Sequence, residues 1–209
     1  MRPAGDVDLL VSRALVPDLD GLLKGVGFRR VQALGHGSHR FYFRYMADED
    51  LWIKLDIVSD ISFGHFQELR TALADGCLGR RIALGTLWLP DPHDQAWLQI
   101  LHLVLDKGEI APERVGTALA AGALASAADP IAAFLDRKAG NGTADILLEV
   151  LLSRRFHEVP ALAAAVKRQW KGSMLPPRVT SMAGQLLRRV GPRLQGRGPV
   201  VGVLAPDGA

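Results

Sequence analysis

Three carboxylates stand out by spacing. Asp6 and Asp8 lie two apart in the run Asp6-Val7-Asp8-Leu9-Leu10-Val11, and Asp56 lies in Leu51-Trp52-Ile53-Lys54-Leu55-Asp56-Ile57-Val58. Residues two apart in a strand point to one face, so both early carboxylates project together while Val7, Leu9 and Val11 pack the other. The same alternation sends Leu55 and Ile57 one way and Lys54, Asp56 and Val58 the other. Carboxylates converging from adjacent strands suit one or two Mg²⁺, which prefers oxygen ligands and substrate phosphates. Metals so held would activate a nucleophile and steady a leaving pyrophosphate. A plainer reading stays open, in which Asp6 and Asp8 decorate an exposed strand start.

The elements needed to bring these residues together are legible in the pattern. Residues 1–65 are predicted as a small mixed sheet, with further strands at Phe28 to Leu34, His39 to Met46 and Leu51 to Val58. Ala47-Asp48-Glu49-Asp50 is a polar turn that makes a hairpin of the last two. Pro17 to Lys24 reads as a short helix, with Pro at its start and Gly25 and Gly27 beyond its end.

From 66 to 195 the period turns helical, predicting a helical domain. Trp97, Ile100, Leu101, Val104 and Leu105 share one side of a segment over 94–107, which follows Pro90 and Pro92 and stops at Gly108. Further helices fit 112–125, 129–138, 144–153, 159–171 and 176–190, many of them rich in alanine. A third zone, 196–209, carries the apolar run Val200-Val201-Gly202-Val203-Leu204, of the kind found in buried parallel strands. The fold class expected is α+β.

Composition closes off other classes. The 209 residues are 48% hydrophobic and 22% charged, which excludes a disordered chain. The formal net charge of +3 is too small to argue for a nucleic-acid partner. The basic residues Arg154, Arg155, Lys167, Arg168, Lys171, Arg188, Arg189, Arg193 and Arg197 read as solvated helix ends. No uncharged apolar run reaches the ~18 residues of a membrane span. Cys77 is the single cysteine, so no internal disulfide can form and a cytoplasmic setting is expected. Cys77 itself is expected to be small and buried. His36 and His39 flank Gly37-Ser38 and read as surface residues of a turn, His102 as a packed or hydrogen-bonded helix residue. Trp52, Trp88, Trp97 and Trp170 read as core or domain-contact anchors.

Gly5-Asp6-Val7-Asp8-Leu9-Leu10-Val11, a helix, Gly27-Phe28 and then Lys54-Leu55-Asp56-Ile57-Val58 together resemble the nucleotidyltransferase superfamily over residues 5–65. The resemblance implies Asp6 and Asp8 as metal ligands and Asp56 as the third catalytic carboxylate, with Mg²⁺ and a nucleoside triphosphate as cofactors. Active members carry a Gly-Ser or Gly-Gly turn ahead of the Asp pair, and the five residues before Asp6 hold none. A second stretch, Val200 to Ala209, looks like the strand and first loop residues of a phosphate-binding loop, with Ala205, Pro206, Asp207, Gly208 and Ala209 as nucleotide-binding positions. That form is similar to thymidylate-kinase-like proteins, whose loop cradles ATP phosphates. Jointly these imply the nucleotidyltransferase-like portion of a thymidylate-kinase-like phosphotransferase, cut within its phosphate loop. Its expected partners are a nucleotide, an unknown acceptor and its own kinase domain. The alternative is a non-catalytic binding or regulatory module that keeps the nucleotidyltransferase fold.

Overall fold

The computed structural model describes residues 7–31 and 38–170, together with Val179, which is helical. The fold is α+β. Its principal sheet has four strands in the order β1-β4-β3-β2, formed by β1 (Val7–Leu10), β2 (Arg29–Arg30), β3 (His39–Met46) and β4 (Leu51–Val58). Alternating β-branched and aromatic residues favour the two long strands. The acidic turn between them fixes an antiparallel register that runs from Met46↔Leu51 to His39↔Val58. β1 enters parallel to β4, with Val7↔Leu55, Asp8↔Asp56, Leu9↔Ile57 and Leu10↔Val58. Parallel strands need a crossover, and α1 (Val16–Gly25) supplies part of it.

α1 packs on the face opposite the aspartates. Leu23 joins Tyr42 and Ile57 in a small core, with Val11, Leu19, Phe28 and Leu55 around it. The Tyr42 hydroxyl donates to the Asp20 carboxylate and so locks helix to sheet. Burial, followed by the Asp20 carboxylate, pushes that phenol up to about 12. Val7 and Leu9, expected to pack this face alongside Val11, are instead exposed. β1 is an edge strand, and the cover provided by α1 does not extend to its start.

The larger core lies among the helices. α3 (Pro92–Leu101) begins with Pro92 in its first turn, while the Asp91 carboxylate accepts the backbone N–H groups of His93 and Asp94. The helical path continues through His102–Lys107, but in π-helical form, and stops at Gly108, whose φ of 74° is left-handed. All five residues expected on one side of this segment, Trp97, Ile100, Leu101, Val104 and Leu105, are fully buried. α4 (Val115–Leu124), α5 (Pro130–Ala139), α6 (Thr143–Leu152) and α7 (Val159–Gln169) enclose them. Small residues let these helices approach closely. A Cβ added at Gly122 would stand 3.4 Å from Leu152 of α6. The helix expected over 176–190 and the strand and loop expected over 196–209 lie outside the described residues.

The helical reading from 66 onward needs correction between the sheet and α3. Here the chain forms β5 (Ser62–Phe63) with β6 (Leu69–Arg70), then α2 (Ala74–Arg80), then a hairpin of β7 (Ile82–Leu84) and β8 (Leu87–Leu89). Gly85, with φ of 60°, permits the two-residue turn between β7 and β8. Trp88 of this hairpin and Trp52 of β4 are exposed, so only Trp97 and Trp170 serve the core role expected of all four tryptophans. Trp88 stacks under the Arg81 guanidinium at 4.5 Å instead.

α2 is pinned to α3 by a buried charge. Asp94 is 2% exposed, and the Arg80 guanidinium meets its carboxylate twice, Nε at 3.0 Å and Nη2 at 3.0 Å. Truncating Arg80 would strand that carboxylate away from water, which costs about 3–5 kcal/mol. Arg80→Ala is therefore expected to lose about 3 kcal/mol of stability in urea unfolding, since Arg80 is itself partly exposed. Arg80→Lys should lose less, because a single ammonium still meets the charge.

Candidate functional site

The β1–β4 pairing sets Asp8 directly beside Asp56, and residues directly opposite in a parallel pair share a face. Two of the three expected carboxylates are thus brought together. Asp6 lies outside the described residues, as do Ala205, Pro206, Asp207, Gly208 and Ala209.

Asp56 occupies an inner strand and is largely buried, its side chain only 13% exposed. A buried carboxylate needs donors to offset lost hydration. His39 provides them. Its Nδ1 lies 3.0 Å from Oδ1 and 2.9 Å from Oδ2 of Asp56. The two residues are diagonal neighbours across β3 and β4, because His39 pairs with Val58 and Phe41 pairs with Asp56. On the same face, Lys54 places its Nζ 4.8 Å from the centre of the Phe41 ring. The His39 ring stands 6.4 Å from Phe41. The face therefore carries two carboxylates, an imidazole and an ammonium beside an aromatic floor.

The strand expected from His39 to Met46 forms over those residues, but His39 is not the surface turn residue expected beside His36: as the first residue of β3 it points to the aspartate face. Counting the hairpin register back from its polar turn would have found it, since Met46↔Leu51 leads directly to His39↔Val58.

Asp8 and Asp56 form a pair of hard oxygen donors, the kind Mg²⁺ takes when most of its remaining ligands are water or phosphate. Among the described residues, no group of three or more His, Cys, Asp or Glu side chains is arranged to hold a metal. A cation held there would take two carboxylates at matched register and need water or phosphate to complete its shell. The two carboxylates do not make an all-protein cage.

Other candidates carry structural roles. Cys77 is buried in α2, and burial first, then the Asp94 carboxylate, pushes its thiol up to about 12. Burial among apolar neighbours disfavours the thiolate that a nucleophile would need. His102 is half-exposed, and its Nδ1 donates to the Asp106 carboxylate at 2.7 Å. The other oxygen of Asp106 accepts the Gly64 backbone N–H at 2.5 Å, tying the β5 turn to the π-helical segment.

Comparison with protein-family models, with curated proteins and with solved structures finds no match to this chain.

Removing His39 would leave the Asp56 carboxylate short of a charge-assisted bond inside the sheet, which costs about 1–3 kcal/mol. His39→Ala is expected to lower urea-unfolding stability by that amount. The double variant His39→Ala/Asp56→Asn should recover part of it, because a neutral amide is cheaper to bury than a carboxylate. Equal losses in single and double variants would show that the two side chains are not coupled.

Proposed function

We propose that this chain is the nucleotidyltransferase-like portion of a thymidylate-kinase-like phosphotransferase, binding a Mg²⁺–nucleoside triphosphate at Asp8 and Asp56. The observation that carries this reading is the register Asp8↔Asp56. It joins two carboxylates distant in sequence on one face of one sheet. Asp6 is proposed as the partner of Asp8 in the metal-ligand pair, with Asp56 as the third carboxylate, as the resemblance implies. Mg²⁺ held there would draw phosphate oxygens toward the sheet and make the phosphorus more electrophilic. The chain's own part is to orient. Inner-strand Asp56 is fixed by His39, and Lys54 adds positive charge on the side where phosphates would lie.

Ala205 to Ala209 are proposed as the opening residues of an ATP phosphate loop belonging to the kinase portion, with an acceptor of unassigned chemistry. A cytoplasmic location suits a chain whose single cysteine is a buried thiol.

A second reading has its own observation. Nδ1 of His39 lies within 3.0 Å of both oxygens of Asp56, so the imidazole competes with a cation for that carboxylate. On this reading the module keeps the fold, binds no nucleotide and presents its surface to a partner or to its own kinase half.

Titration calorimetry with ATP and excess Mg²⁺ separates the two. The first reading expects saturable heat from the wild-type chain, with affinity reduced about tenfold or more, a loss above 1.4 kcal/mol, in both Asp8→Asn and Asp56→Asn. Binding that both variants leave unchanged would remove these carboxylates from the site. No binding by the wild-type chain would favour the second reading.

A further inference from the structure

The aspartate face extends beyond Asp56. Every second residue of β4 projects to it, so Asp56 is followed toward the hairpin turn by Lys54 and then by Trp52. β3 sets an aromatic ring opposite each of them, in the pairs Phe41↔Asp56, Phe43↔Lys54 and Tyr45↔Trp52. One strip of sheet thus carries a carboxylate, an ammonium and an indole in that order, with about 6–7 Å of strand between successive members.

The side-chain contacts follow the same line. Asp56 is met by His39 at 2.9 Å, the Lys54 Nζ lies 4.8 Å from the centre of the Phe41 ring, and the Tyr45 and Trp52 rings stand 5.1 Å apart with a 40° tilt. The Tyr45 hydroxyl donates to the Asp50 carboxylate at 2.6 Å, which holds that ring beside the turn.

A cross-strand aromatic pair steadies the end of a hairpin. Here it also leaves a large aromatic surface in water, because Trp52 is 53% and Tyr45 46% exposed. α1 packs against Tyr42 and Ile57 on the opposite face of the sheet, so it does not cover these two rings. They lie on the same face as Asp8 and Asp56, at the turn end of the same strands.

We propose that Trp52, braced by Tyr45, is the stacking platform for the base of the nucleoside triphosphate whose phosphates are held at Asp8 and Asp56. The inference rests on that reading and adds the other end of the ligand. Four residues of strand separate Asp56 from Trp52, about 13 Å, which is the reach of an extended nucleoside triphosphate from its outer phosphates to its base. Groups along the strip succeed one another as they do along a nucleotide. The carboxylates take the metal that carries the outer phosphates, the Lys54 ammonium lies where the chain of the ligand passes, and the indole meets the flat base.

The test is calorimetric titration of the whole chain in excess Mg²⁺ with two probes, ATP and inorganic tripolyphosphate, which lacks the base. ATP is expected to bind about tenfold or more tightly than tripolyphosphate. Trp52→Ala should bring ATP down to the affinity of tripolyphosphate while leaving tripolyphosphate unchanged, so the second probe shows that the variant still folds. Trp52→Phe, which keeps a ring, should restore part of the difference. Equal affinity of the two probes in the wild-type chain, or a preference for ATP that survives in Trp52→Ala, would overturn the base site and leave the reading of Asp8 and Asp56 standing. Failure of tripolyphosphate to bind the wild-type chain would overturn that reading and this inference with it.

Discussion

The parallel pairing of β1 with β4 is the constraint from which the rest of the N-terminal half follows. β4 is an inner strand, gripped on its other side by β3 through a complete antiparallel register. Joining β1 to its free edge sets Asp8 level with Asp56, continues into the Val11 N–H to Val58 carbonyl bond at 2.9 Å, and closes the small core under α1. A slip of one residue would turn Asp8 to the helix side, away from Asp56. Val11, packed against the core of Leu23, Tyr42 and Ile57, resists such a slip, because its apolar side chain would then be turned out of that core.

Charge placement follows one rule with one departure. The buried or half-buried carboxylates are met by fixed donors: Asp56 by His39, Asp94 by Arg80, and Asp129 by the Trp97 indole N–H and the Ser126 backbone N–H. Such pairing is what burial of charge demands. The departure is the cavity at the ends of β1 and β4, which Arg13, Arg40 and Arg70 line with the single carboxylate of Asp60.

Much of the fold was legible. β3 and β4 carry strong period-two alternation with an unambiguous turn, and they form over the residues the pattern indicates. α3 was legible from its apolar spacing and its Pro92 and Gly108 limits, though the switch to π-helix at His102 leaves no mark in composition. The β7–β8 hairpin was hidden for a physical reason. Ile82, Leu84, Leu87, Trp88 and Leu89 are apolar yet exposed, so the strands lack the polar-out alternation that betrays a half-buried sheet. Asp8 and Asp56 could be placed on matching faces from alternation, but their direct opposition is a fact of tertiary pairing. The cavity lined by Arg13, Arg40, Asp60, Gln67 and Arg70 was not legible, because it draws on segments well apart in the sequence.

The central claim is that Asp8 and Asp56 hold one divalent cation between them. Mn²⁺ titrated into isotopically labelled protein tests it directly, since a paramagnetic ion broadens nearby amide resonances. The account predicts selective broadening of the amides around Asp8, His39 and Asp56, lost in Asp8→Asn, with the α5 and α6 amides untouched. Broadening centred elsewhere, or unchanged in Asp8→Asn, would contradict it.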